Sequence, residues 1–194
     1  MVLALGASVV ALGACKSDSP AVSTGGPSST RSSSTAAPSS STPTSAACAF
    51  SPDDEAKPAS ATRAELGAVR AAGHGGVDQV VFEFSGAAPG YRVGYEAKPV
   101  REDGSGAEVA LAGGFALAVR MDNASAYHLE GDASHPTYTG PKRISPSGTA
   151  NVVELVNNGD FEGVLSWTLG VRDKAGFKVT LLSSPPRLVV DVCA

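Results

Sequence analysis

Cysteine thiols are the side chains whose placement makes the most specific chemistry available to this chain. Cys15 closes an apolar run that starts at Val2 and is preceded directly by Gly13 and Ala14. Small residues at that point let the backbone enter a protease cleft, and a thiol is suited to forming a thioether with a lipid. Cys48 and Cys193 stand at the two ends of the rest of the chain. In an oxidising compartment free thiols seldom persist, so these two are expected to form a disulfide, with unpaired thiols as the alternative. Closing so long a loop contributes up to about 5 kcal/mol by loss of chain entropy in the unfolded state.

No arrangement in the sequence points to catalysis. The histidines His74, His128 and His135 share no metal-ligand spacing, so no metal or cofactor is expected. Ser105-Gly106 and Ser147-Gly148 read as loop dipeptides without the strand-to-helix context of a nucleophile elbow. Glu83, Glu96, Glu108 and Glu154 fall at polar strand positions and read as solvated. No catalytic residue is therefore assigned.

Binding chemistry is better represented. Tyr91 and Tyr95 can stack on the apolar face of a sugar, and Arg92 lies between them. Arg187, after the rigid Pro185-Pro186, can clamp a carboxylate or pair with Asp191. Asp160-Phe161-Glu162-Gly163 reads as a turn, with Phe161 plugged into the edge of the fold and Glu162 a candidate contact. Trp167 alternates in step with Leu165, Leu169 and Val171 and belongs to a core.

The elements that must position these residues are strands. Val80, Phe82 and Phe84 share one face of a run, as do Leu117, Val119 and Met121, then Phe177, Val179 and Leu181, then Leu188, Val190 and Val192. Runs at 152–157, 164–171 and 90–95 complete an all-β pattern, which predicts a two-sheet antiparallel β-sandwich. Residues 63–72 are ambiguous: Thr62 to Glu65 forms a capping box for a short helix, while His74-Gly75-Gly76 suggests a hairpin turn. Strand is the favoured reading.

Upstream, Lys16 to Ala47 is almost wholly Ser, Thr, Ala, Pro and Gly without an aromatic residue. Such a segment cannot bury enough apolar surface to offset its conformational entropy and is expected to be a disordered tether. Its root-mean-square reach is about 30 Å. The apolar run from Val2 to Ala14 is 13 residues, short of the roughly 20 needed to span a bilayer. No Lys or Arg precedes Lys16, where a secretory signal normally carries positive charge, so the signal is expected to start upstream of Met1. The division predicted is a signal peptide at 1–14, a linker over 15–60 that begins at Cys15, and a β-sandwich domain over 61–194. A net charge of −4 with scattered arginines gives no footprint for nucleic acid.

Leu12-Gly13-Ala14-Cys15 resembles the lipobox of bacterial lipoproteins; an ordinary signal peptide with a chance cysteine is the alternative. The resemblance implies a diacylglycerol on Cys15 and attachment to the extracytoplasmic face of the cell membrane. Further on, His74 with Asp78-Gln79-Val80-Val81-Phe82-Glu83-Phe84, then Pro89-Gly90-Tyr91-Arg92-Val93, Asp160-Phe161-Glu162-Gly163 and the Pro185-Pro186-Arg187 strand follow in order. Together they are similar to the AMIN-like lipoproteins of high-GC Gram-positive bacteria, relatives of the AMIN domain of envelope amidases and secretins. Gln79 stands where that family usually carries a basic residue. The resemblance implies a β-sandwich acting as a non-catalytic binding module in the cell envelope, with peptidoglycan or another glycan as ligand. An adaptor subunit of an envelope complex, working by strand addition at sheet edges, is the alternative, and a cell-wall hydrolase a third reading.

Overall fold

The structure, a computed structural model, describes residues 48–194. The Cys15 motif, the signal segment and the tether up to residue 47 lie outside the described residues. Two sheets face each other. The first has six strands in the order β1 (Glu55–Lys57), β4 (Gly90–Glu96), β7 (Phe115–Asp122), β13 (Val164–Val171), β12 (Val152–Phe161) and β11 (Arg143–Ile144). The second has five, in the order β14 (Phe177–Ser183), β15 (Pro186–Cys193), β3 (Val77–Gly86), β2 (Ala64–His74) and β8 (Ala124–Ser125). Two small ribbons, β5 (Val100–Arg101) with β6 (Glu108–Val109) and β9 (Tyr127–Glu130) with β10 (Ala133–Pro136), lie in the connections. The expected all-β sandwich is what forms.

Period-two alternation produces the core. Val80 and Phe82 of β3, Leu117, Val119 and Met121 of β7, Leu165, Trp167 and Leu169 of β13, and Leu188 and Val190 of β15 meet between the sheets. Each such side chain contributes about 1.5–3 kcal/mol by leaving water. Trp167 sits at the centre, edge-on to Phe82 at 5.9 Å and to Tyr138 at 5.7 Å, a geometry that adds quadrupole attraction to its burial.

Residues 63–72 are strand. A bulge between Leu66 and Ala68 inserts one residue into β2, so its inward residues change from Ala64 and Leu66 to Val69 and Ala71. The resulting three-residue step from Leu66 to Val69 imitates helical spacing in the sequence. At its end Gly75 and Gly76, both at positive φ, make the two-residue turn into β3.

Ordered structure starts before residue 61. Cys48 is bonded to Cys193 as expected, with Cα atoms 5.4 Å apart, which pins the segment that follows. Its residues 55–57 then pair with the edge of β4 as β1. The same segment bridges to the second sheet, where the Phe177 N–H donates to the Ser51 carbonyl at 2.8 Å and the Val179 N–H to Glu55 Oε1 at 3.1 Å. The linker boundary at 60 is thus corrected: residues 48–57 close one side of the sandwich.

A carboxylate joins the two sheets at the same end. Asp78, with no exposed surface, lies on the inward face of β3. Its Oδ1 accepts the Ala150 N–H at 3.0 Å, and its Oδ2 accepts the N–H groups of Asn151 at 2.6 Å and Val152 at 2.7 Å, where β12 begins. The Asn151 side chain extends the clasp, donating from Nδ2 to the Cys193 carbonyl at 2.9 Å and accepting the Asp173 N–H at 3.0 Å. Gly73, opposite Asp78 in β2, leaves the room required, since a Cβ there would overlap the Gly148 carbonyl.

Hydrogen bonds to a charged group are worth about 1.5–3 kcal/mol each, and buried donors left without an acceptor are costly. Asp78→Asn keeps the shape but turns an amide donor towards these N–H groups. It is expected to lower the unfolding free energy by roughly 3 kcal/mol in urea titration; a loss under about 1 kcal/mol would show that the clasp is dispensable.

Candidate binding groove around Phe161

The outward face of the six-stranded sheet carries the charged residues. Arg92, Arg120, Ser166 and Gly159 are successive register partners across β4, β7, β13 and β12, so their side-chain positions form one row. Arg92 Nη2 pairs with Asp122 Oδ1 at 2.9 Å, and Arg120 Nη2 with Glu96 Oε2 at 2.9 Å. Beside the row, the connection from β4 to β7, which carries the β5–β6 ribbon, folds down over the sheet. The Asp103 N–H donates to the Asn158 carbonyl at 2.9 Å, and a Cβ at Gly170 would overlap the Ala112 carbonyl. That cover explains why β13, its outward Thr168 included, is buried along nearly its whole length.

Glu154 holds the cover in place. Its Oε2 accepts the Ala112 N–H at 2.9 Å and pairs with Arg143 Nη1 at 2.6 Å, while Arg143 Nη2 reaches the Ala110 carbonyl at 2.8 Å. The solvated position expected for Glu154 is therefore corrected to a buried one, because the cover lies over its strand. Burial opposes its ionisation, but the Ala112 N–H, the Arg143 guanidinium and the Lys98 charge outweigh that and hold the carboxyl below its usual 4.5.

Phe161 ends β12 and stands outward, 51 % exposed, contrary to the expectation that it plugs the sandwich. A bulge between Asn157 and Gly159 is the reason. Counting in twos from the buried Leu155 would turn Phe161 inward; the extra residue reverses the parity. Asp160 takes the inward place, accepting the Ser125 Oγ–H at 2.8 Å and the Ala126 N–H at 2.7 Å.

Two open depressions flank the Phe161 ring. One, of about 350 Å³, is bordered by Arg92, Arg120, Ser166, Asp103 and Glu162. The other, of about 370 Å³, is bordered by Tyr127, Tyr138, Lys142, Asn157 and Asp160. Gly104 fits closely under the ring, 3.5 Å separating its would-be Cβ from Phe161 Cδ2.

Of the residues expected from sequence to contact a ligand, Arg92 and Glu162 meet in the first depression. Tyr91 and Tyr95 do not, since both face the core side of β4. The Tyr95 hydroxyl donates to the Ala175 carbonyl at 2.8 Å and accepts the Ala175 N–H at 3.0 Å; burial raises the pKa of both phenols. Arg187 lies on the other sheet, opposite Glu83 in register. Asp191, the acid expected to pair with it, instead accepts from Gln79 Nε2 at 2.8 Å. Arg120, Asp103 and Ser166 were not singled out, although Arg120 is the outward charge of a clearly alternating run. Among the described residues, no group of three or more His, Cys, Asp or Glu could hold a metal ion. β14, the long free edge of the second sheet, has two of its outward donors occupied by Ser51 and Glu55, which obstructs strand addition there.

The domain is a two-sheet, mainly antiparallel sandwich with an open polar groove beside an exposed aromatic ring. Residues 64–194 match the AMIN-like domain, and the chain belongs to that family. Neither a curated protein nor a solved structure matches it. The family assignment fits an envelope-associated binding module in general.

Because the folded pKa of Glu154 lies below the unfolded one, its stabilisation is fully present above pH 4.5 and is lost as pH falls through the folded value. The stability difference between the native protein and Glu154→Gln is expected to shrink as denaturant titrations move from pH 6 towards 3. A difference independent of pH over that range would contradict the role given to this carboxylate.

Proposed function

We propose that the protein is a lipid-anchored module on the extracytoplasmic face of the cell membrane and that the groove around Phe161 binds peptidoglycan. The single observation that supports this ligand is the half-exposed Phe161 ring between two polar depressions. An aromatic face stacks on the apolar face of a pyranose, and flanking polar groups meet its hydroxyls and amides. Here Lys142 and Asn157 lie on one side and Arg92 and Arg120 on the other. The AMIN-like family supports the envelope setting. Anchoring rests on Leu12-Gly13-Ala14-Cys15, with the Ser/Thr/Pro-rich tether carrying the domain away from the membrane. Two acyl chains on Cys15 suffice for stable attachment where one is marginal.

Residues 48–194 contain a common core and their own disulfide, which makes them the unit to assay. At physiological salt they are expected to pellet with purified, protein-free cell wall, and Phe161→Ala is expected to weaken binding about tenfold without loss of stability. A domain that stays in the supernatant would remove the glycan reading in favour of a protein adaptor. Cys15→Ala in the full chain is expected to move the protein from the membrane to the soluble fraction; retention in the membrane would contradict the anchor.

A further inference from the structure

The depression on the arginine side of Phe161 has a charge pattern that sugar recognition does not require. Arg92 and Arg120 are direct cross-strand partners, and like charges so placed repel. Each has one carboxylate partner, reached through a single Nη2. A guanidinium offers five N–H donors, and no other partner for either group is found among the described residues. Next in the row is Ser166, 3 % exposed, whose buried Oγ has no hydrogen-bond partner. Two forks with N–H donors left over beyond their single ion pairs, and a hydroxyl without a partner, stand side by side, and a carboxylate can accept from all three.

The opposite wall is acidic. Asp103 and Glu162 border the same depression, and neither carboxylate has an ion pair or side-chain hydrogen bond among the described residues. Glu162 holds φ at +52° in the β12–β13 turn, a conformation that glycine or asparagine adopts readily and that costs another residue about 1 kcal/mol or more. Gly163 beside it stands at φ +78°, and the two-residue hairpin turn between Phe161 and Val164 requires both.

From these juxtapositions we propose that this depression is a subsite for a zwitterionic α-amino-acid head group. The carboxylate sits on Arg92, Arg120 and Ser166, the ammonium on Asp103 and Glu162, and the carbon skeleton against Phe161. Such a head group comes from a free amino acid or from the free end of a diamino dicarboxylic acid in a wall peptide. Only the second source rests on the peptidoglycan reading.

The test is a titration of ¹⁵N-labelled residues 48–194 followed by backbone amide shifts. The probes are D-alanine, N-acetyl-D-alanine, D-alanine amide and a wall stem peptide ending in a diamino dicarboxylic acid whose far amino and carboxyl groups are free. D-Alanine is expected to shift amides at 102–105 and 161–166, with both blocked forms at least tenfold weaker. Glu162→Gln should abolish discrimination against the N-acetyl form, and Arg120→Gln discrimination against the amide. Ser166→Ala, a small change on a formed strand, should weaken D-alanine without altering the rest of the spectrum. If blocked and free forms shift the same amides equally, or none does, the subsite is overturned even where the domain still pellets with cell wall. If D-alanine binds while stem peptide and cell wall do not, the subsite stands and the peptidoglycan reading falls.

Discussion

The buried carboxylate of Asp78 is the constraint on which the arrangement of this domain depends. A charge without solvent exposure is tolerable only when fully hydrogen-bonded, and three consecutive N–H groups at the start of β12 meet that need. The bond set fixes which point of β3 in one sheet stands against the start of β12 in the other. A slip of one residue would expose Val80 and Phe82 along with the carboxylate. With the start of β12 fixed, β13 is fixed beside it, so Trp167 enters the core and Ser166 faces out. At the far end of β12, roughly 30 Å away at the usual rise of a strand, Phe161 is delivered to the groove.

A bulge in β12 converts this frame into a site. Lying between Asn157 and Gly159, it exchanges Asp160 and Phe161 between the faces, placing an acid where Ser125 and Ala126 supply donors and an aromatic ring where no core partner exists. The ring is then bordered by the connection that Glu154, Arg143 and Lys98 hold against the sheet. The electrostatics of the groove follow from the same register, which sets Arg92 beside Arg120. Residues 48–57, tied by the Cys48–Cys193 disulfide, close the side between β4 and β14.

What the sequence revealed and concealed has a common physical source. Strands whose alternation is unbroken, such as β3, β7, β13 and β15, were legible, and with them the sandwich and the core place of Trp167. Where a bulge breaks the period the reading failed or wavered: residues 63–72 stood between helix and strand, and Phe161 was placed inward. Asp78 has the same parity as Val80 and Phe82, so its burial was available to anyone counting in twos. Its partners were not, because they lie more than 70 residues away. Tyr91 and Tyr95 illustrate the reverse limit, since aromatic residues suit a core and a sugar platform equally and only the fold decides. The cover over β13, built from short strands and loops, left no periodic trace, and so Glu154 looked solvated.

The central claim is that the face around Phe161, rather than the outer face of the five-stranded sheet, is where this AMIN-like domain meets its ligand. Hydrogen exchange of residues 48–194, read by mass spectrometry with and without solubilised cell-wall fragments, addresses it most directly. The account predicts slowed exchange in peptides covering 101–106 and 159–166, with 79–83 and 187–191 unchanged. Protection confined to the Arg187 face, with none beside Phe161, would contradict it.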